Sequence, residues 1–239
     1  KNTIVLNDRW ARFTDGKKHG DYYTREYSTH AMPGDKPWEE CRGMGFSFSY
    51  NLNEDVEDYS SPQGLILTLV NIVSKGGNLL LGIGPNGSGK IPPIMQERLL
   101  QMGEWLKVNG EAIYGTHAWK QTEQWSKGDR NWKDKSKHYV GGNSILKQTV
   151  DPDPGYAVKE IFFTAKENSV YAILPKLPEG KVILKDVQST RKTKVTMLGY
   201  DKKLQWKQNG KNLVIEVPVI SYNEVPCHYA WTLKLENVE

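Results

Sequence analysis

The feature that most constrains this chain is a change of hydrophobic period near residue 116. Before it, apolar segments of strand length alternate with helical faces; after it, apolar and polar residues alternate with a period of two. The run Asn-Leu-Leu-Leu-Gly-Ile at 78–83 is apolar almost throughout, as a strand covered on both faces must be. Pro62 opens a segment in which Leu65, Ile66, Leu69, Val70 and Val73 share one helix face, and Gly76-Gly77 ends it. Pro92-Pro93 opens a second, with Met95, Leu99, Met102 and Leu106 at helical spacing and Gly110 as the glycine just past its end. Residues 3–6 and 41–50 supply two further strand-like segments. Strand and helix in alternation imply a parallel α/β sheet. A closed eight-unit α/β barrel needs roughly 250 residues, so 116 residues supply part of one.

From 117 onward, short alternating strands near 160–164, 169–174, 181–184, 193–198, 203–206, 212–217 and 229–235 are separated by turn signals such as Glu179-Gly180 and Asn209-Gly210. Strands this short and this regularly spaced argue a β-sandwich. The expected architecture is therefore α/β plus all-β: part of a parallel α/β fold such as a barrel over 1–116, then a β-sandwich over 117–239.

Composition closes off several functions. The chain has 239 residues and a formal charge of +4, and no run reaches the roughly 18 apolar residues of a membrane helix. Residues 117–239 carry 20 basic and 14 acidic side chains, but the lysines are scattered along strands, so nucleic acid is not expected as a partner. The histidines at 19, 30, 117, 138 and 228 show no ligand spacing, so a zinc site is not expected. Cys41 and Cys227 are too few for a disulfide scaffold; they are two thiols or one long-range bridge. The opening Lys-Asn-Thr-Ile-Val-Leu-Asn has no signal-peptide pattern and reads as a strand under way.

Gly84-Pro-Asn-Gly-Ser-Gly-Lys90 fits the phosphate-loop pattern GxxxxGK. Ile91 stands where a magnesium-binding hydroxyl belongs, and Pro92-Pro93 remove amides that phosphates would use, so a plain strand-to-helix loop is the better reading. Asp8-Arg9-Trp10 follows an apolar strand, at the edge where barrels carry their active sites. Arg9 offers a fork of donors and Trp10 a flat face for a sugar ring; a structural ion pair of Arg9 is the plainer alternative. Residues 20–27 (Gly-Asp-Tyr-Tyr-Thr-Arg-Glu-Tyr) and Trp38-Glu39-Glu40 set carboxylates among aromatic rings, which raise a carboxyl's proton affinity. Glycoside hydrolysis needs two such carboxyl groups, although loop carboxylates of no special role are the commoner case. Glu54, Asp55, Glu57 and Asp58 open a helix and are read as structural.

These segments form an ordered series. Asn-Asp-Arg-Trp (7–10), Thr-Arg-Glu-Tyr (24–27), the run from Trp38 through Phe-Ser-Phe-Ser-Tyr-Asn (46–51), Leu-Val-Asn-Ile-Val-Ser-Lys-Gly-Gly-Asn (69–78) and Ile-Gly-Pro-Asn-Gly-Ser-Gly (83–89) closely resemble the retaining α-L-fucosidases of glycoside hydrolase family 29. The likeness continues more loosely through Lys-Val-Thr-Met-Leu-Gly (194–199) and Ala-Trp-Thr-Leu-Lys-Leu (230–235). It implies release of terminal α-L-fucose from glycans without a metal or other cofactor, in a TIM-like barrel, of which residues 1–116 would be the C-terminal part, followed by a β-sandwich over 117–239. Carried over by motif, Arg9 would bind fucose hydroxyls, Glu26 would be the general acid/base with Glu39 as runner-up, and Phe48 would pack on the C5 methyl. Gly82 departs from the family, where many members carry Asn. The family's nucleophilic Asp has no counterpart in these residues, so the resemblance implies the C-terminal portion of a longer or two-piece enzyme. This chain would be inactive by itself and partnered by the missing barrel segment. It also suggests an extracytoplasmic or lysosomal location. The competing readings are a carbohydrate-binding sandwich stacking sugars on exposed Trp119, Trp125 and Trp132, and a scaffold protein with a vestigial barrel.

Overall fold

The computed structural model describes residues 4–9, 20–28, 36–134 and 144–239. Its first part is a three-stranded parallel sheet in the order β1 (Tyr23–Glu26), β2 (Trp38–Gly43), β3 (Gly77–Gly82), joined by helix α1 (Pro62–Val73) and followed by α2 (Pro93–Asn109). Ser61 caps α1 by accepting the Gly64 amide at 3.0 Å, and Pro62 sits in the first turn, where its missing N–H costs nothing. α2 buries Met95, Met102, Trp105 and Asn109. It ends at Asn109 with Gly110 just past the end; the φ of Gly110 is −60°, and the chain runs on through a 3₁₀ turn, Gly110–Ala112.

The remainder is antiparallel. Strands β4 (His117–Trp125), β5 (Lys159–Lys166), β6 (Ser169–Leu174), β11 (Trp231–Val238) and β8 (Ser189–Met197) form a five-stranded sheet in the order β4-β5-β6-β11-β8. Strands β7 (Gly180–Leu184), β10 (Asn212–Val217) and β9 (Gln205–Asn209) form a three-stranded one. A short helix α3 (Ser144–Lys147) precedes β5. The two sheets share a core built of alternate residues: Ile161, Phe163 and Ala165 of β5 meet Leu184, Leu213 and Ile215. The intervening Phe162, with Tyr171 and Ile173 of β6, packs instead with Leu65, Ile66 and Val70 of α1 and Trp105 of α2. The five-stranded sheet is thus buried on both faces, and the helices bear on its outer side. Trp105 reinforces this junction by donating Nε1–H to the Ala230 carbonyl at 2.8 Å.

Two expected strands shift. Within residues 4–6 no strand forms; the segment runs beside residues 21–22, with the Asp21 amide donating to Leu6 O at 2.7 Å and Asn7 bridging Tyr22 in parallel. The strand expected over 41–50 is β2 and ends at Gly43, where the chain turns back so closely that a Cβ would fall 1.8 Å from the Ser47 carbonyl oxygen. Cys41 and Cys227 are separate free thiols.

Candidate active site

Parallel pairing fixes which side chains share a face. Thr24 is level with Glu39 and Asn78, and Glu26 with Cys41 and Leu80. Since side chains alternate between faces, Thr24, Glu26, Glu39, Cys41 and Leu80 lie on one side and Trp38, Glu40 and Arg42 on the other. The first side is open, and Leu80 is 54% exposed there. The second is buried.

At the carboxyl end of β1 the open face carries Arg9 and Glu26. Arg9 Nη1 donates to Glu26 Oε1, and the guanidinium's proton affinity is raised by that hydrogen bond more than burial lowers it. Both side chains remain solvent-accessible. Arg9 Nε donates to Thr24 Oγ1 at 2.6 Å, and Thr24 in turn donates its hydroxyl (2.7 Å) and its amide (2.8 Å) to Asp8 Oδ1. Asp8 and Thr24 are buried. Two of the expected site residues therefore meet, through a bond between residues 17 apart in sequence. Glu39 sits one strand over, level with Thr24, half-buried and without a hydrogen bond or ion pair among the described residues. Trp10 lies outside the described residues.

Phe48 is 44% exposed in the loop that follows β2. Its ring meets Tyr27 edge-on, with centroids 4.9 Å apart. Tyr27 directly follows Glu26 and holds a left-handed φ of 47°. It bonds Cys41 O through its amide at 3.2 Å, while its hydroxyl accepts the Gly43 amide at 3.0 Å and donates to Phe46 O at 3.3 Å. A bulky residue in that conformation costs about 1–2 kcal/mol, which these bonds offset. At Gly82 a Cβ would fall 2.5 Å from the Phe48 carbonyl oxygen, so this close approach needs glycine. The Phe48 segment lies directly across the end of β3.

Behind the open face, Glu40 and Arg42 form a buried pair, with Arg42 Nε 2.8 Å and Nη2 2.6 Å from Glu40 Oε1. Burial pushes the Glu40 carboxyl above its ordinary range, and Arg42 pulls it only partly back. Arg42 also stands over the Tyr27 ring at 5.5 Å. Glu40 is thus a structural carboxylate on a strand, turned away from the site. Sequence reasoning passed over Thr24, Tyr27 and the Glu40–Arg42 pair. The Thr-x-Glu alternation could have placed Thr24 on the face of Glu26; nothing local marks the conformation of Tyr27.

The remaining candidates are engaged in local contacts. In the GxxxxGK loop, Asn86 Oδ1 accepts the Ser88 and Lys90 amides, both at 3.0 Å, so these donors close the loop on itself. Around the acidic run, the Asp55 amide donates to Asp58 Oδ2 at 2.8 Å, and Glu54 accepts the Ser47 amide at 2.6 Å. Trp119, Trp125 and Trp132 are half-buried, not exposed platforms. Trp119 packs on Phe163, and the indole N–H groups of Trp125 and Trp132 donate to Glu123 and Asp153. Among the described residues no cluster of three or more His, Cys, Asp or Glu is placed to hold a metal, and no helix is long and apolar enough to cross a membrane.

A family model described as alpha-L-fucosidase matches residues 1–111, and one described as the alpha-L-fucosidase C-terminal domain matches residues 156–236. The chain is 39% identical over 245 residues to a plasma alpha-L-fucosidase of Rattus norvegicus, covering all of this chain and 46% of that protein. Against the tissue alpha-L-fucosidase of Homo sapiens the identity is 35% over 244 residues, covering 45% of it. The chain spans under half the length of these curated relatives. The Thermotoga maritima alpha-fucosidase, solved with a mechanism-based inhibitor, superposes with a TM-score of 0.70 at 36% identity, over 97% of this chain and 45% of that one. With both models matched in chain order and this identity sustained from end to end, the chain belongs to the α-L-fucosidase family.

Proposed function

We propose that this chain contributes the acid/base side of a retaining exo-α-L-fucosidase that releases terminal L-fucose from glycans. The observation that carries the reading is the Arg9–Glu26 pair at the carboxyl edge of a parallel sheet, in a chain of this family. Parallel α/β folds bind ligands at that edge. Glu26 protonates the departing glycosidic oxygen and then deprotonates the incoming water; Arg9 holds sugar hydroxyls; Phe48, edge-on to Tyr27, meets the C5 methyl. Glu39, on the same face, is the alternative acid/base. Retention requires a second carboxylate about 5–5.5 Å away to form the glycosyl intermediate, and we assign it to polypeptide outside these residues. On this reading β1–β3 with α1 and α2 are part of a TIM-like barrel over residues 1–116, completed by that polypeptide, and residues 117–239 are a β-sandwich. The plasma form among the relatives supports an extracytoplasmic location.

The test is hydrolysis of an aryl α-L-fucoside by the full-length protein. Glu26→Gln abolishes turnover and azide restores it as the fucosyl azide. Full activity in Glu26→Gln, with loss in Glu39→Gln, would transfer the role to Glu39.

A further inference from the structure

Asp8-Arg9 and Thr24-x-Glu26 interlock as two rungs between neighbouring segments: Asp8 with Thr24, and Arg9 with Glu26. The buried rung determines the geometry of the exposed one. An arginine side chain that is accessible over nearly half its surface has many rotamers, and an ion pair in water is too weak to select one. Its Nε, however, is bound at 2.6 Å to a hydroxyl that cannot turn away. A threonine hydroxyl has one proton, and here that proton is committed to Asp8 Oδ1 at 2.7 Å, which leaves its lone pairs facing Arg9. Asp8 is itself held by the Thr24 amide at 2.8 Å.

We propose that Thr24, oriented by Asp8, is a positioning residue: it fixes Arg9 by Nε so that the two Nη nitrogens face Glu26 and the bound sugar. That the ligand is L-fucose rests on the fucosidase reading. The positioning itself stands on the hydrogen bonds. Valine in place of Thr24 keeps the shape but supplies neither donor nor acceptor, whereas serine keeps both.

The experiment measures L-fucose affinity of the full-length protein by calorimetry, in a double-mutant cycle. Hydrogen bonds to charged groups set the scale at about tenfold. Arg9→Ala and Thr24→Val each weaken L-fucose by roughly that factor, Thr24→Ser stays within about twofold, and Thr24→Val adds nothing once Arg9 is already alanine. In parallel, the Nε–H resonance of Arg9, assigned by its disappearance in Arg9→Lys, exchanges slowly with water in the parent and rapidly in Thr24→Val. If valine prevents folding, Thr24→Ala, which adds no bulk, takes its place. Loss of affinity in Thr24→Val that persists undiminished in the Arg9→Ala background overturns the proposal, as does an unchanged affinity in Thr24→Val while Arg9→Ala is impaired. An Arg9→Ala protein that binds L-fucose normally overturns the assignment of Arg9 to the sugar, a failure of the functional reading that the Nε–H exchange separates from a failure of the Thr24 contact.

Discussion

Glu40 is 0% and Arg42 5% exposed, and the pair lies behind the candidate site. Replacing Glu40 by Gln leaves a guanidinium buried without its carboxylate. Three contacts are affected: Arg42 Nε at 2.8 Å and 3.1 Å from the two carboxylate oxygens, and Nη2 at 2.6 Å. Breaking a buried pair from one side costs about 3–5 kcal/mol. For a chain of this size each kcal/mol is worth roughly 2–4 °C, so the melting temperature should fall by roughly 6–20 °C. Converting both residues to leucine should be close to neutral, because desolvation of the two charges cancels most of their attraction. The direction of the Glu40 shift agrees: burial dominates over the pull of Arg42. A raised carboxyl means that the folded state binds more protons than the unfolded one as pH rises above 4.5, so this group's contribution declines through that window. Glu40→Gln should remove that slope. Thermal unfolding followed by circular dichroism at several pH values tests both parts. A drop in melting temperature below about 2 °C for the single variant would refute the reasoning, since it would mean that water reaches Arg42.

Gly82→Ala should push the Phe48 backbone away from the end of β3, costing about 1–3 kcal/mol in chemical denaturation and raising KM for a fucoside more than it lowers kcat. Tyr27→Phe loses the bonds to Gly43 N and Phe46 O; a loss of about 1–2 kcal/mol is expected, again with a rise in KM as Phe48 loosens. Burial, with Lys159 alongside, lowers the Lys75 ammonium to about 8 from 10.5. The unfolded state then holds the extra proton between those values, so stability from this group rises by about 3 kcal/mol as pH climbs through that window. Urea titrations at pH 8 and 10.5 should show this rise in the parent and its absence in Lys75→Met.

Periodicity located α1, α2 and most of the strands because each has an apolar side that must be covered. It failed where cover was absent or shared. β4 reads His-Ala-Trp-Lys-Gln-Thr-Glu-Gln-Trp, a polar edge strand whose pairing with β5 shifts register between Ala118 and Glu123, so no alternation survives to be read. α2 turns Trp105 inward, where the spacing favoured Leu99 and Leu106, because it has the antiparallel sheet as a neighbour as well as its own. In the site, residue types were legible and partnerships were not. Glu39 and Glu40 are adjacent carboxylates in sequence, yet strand pleating sends one to the open face and the other into a buried pair. The bond from Arg9 to Thr24 depends on how two segments 15 residues apart are laid side by side, which no local pattern encodes.

The shared packing of α1 and α2 on the five-stranded sheet bears on recombination. A crossover at residue 116, where the sequence changes character, would cut through one continuous set of interdigitated side chains: Leu65, Ile66 and Val70 on one side, Phe162, Tyr171 and Ile173 on the other. A chimera that took its antiparallel half from a relative would mismatch these surfaces and lose stability in the half left unaltered. The tolerated exchange would carry α1, α2 and strands β5 and β6 together. In this chain the unit of inheritance is the junction.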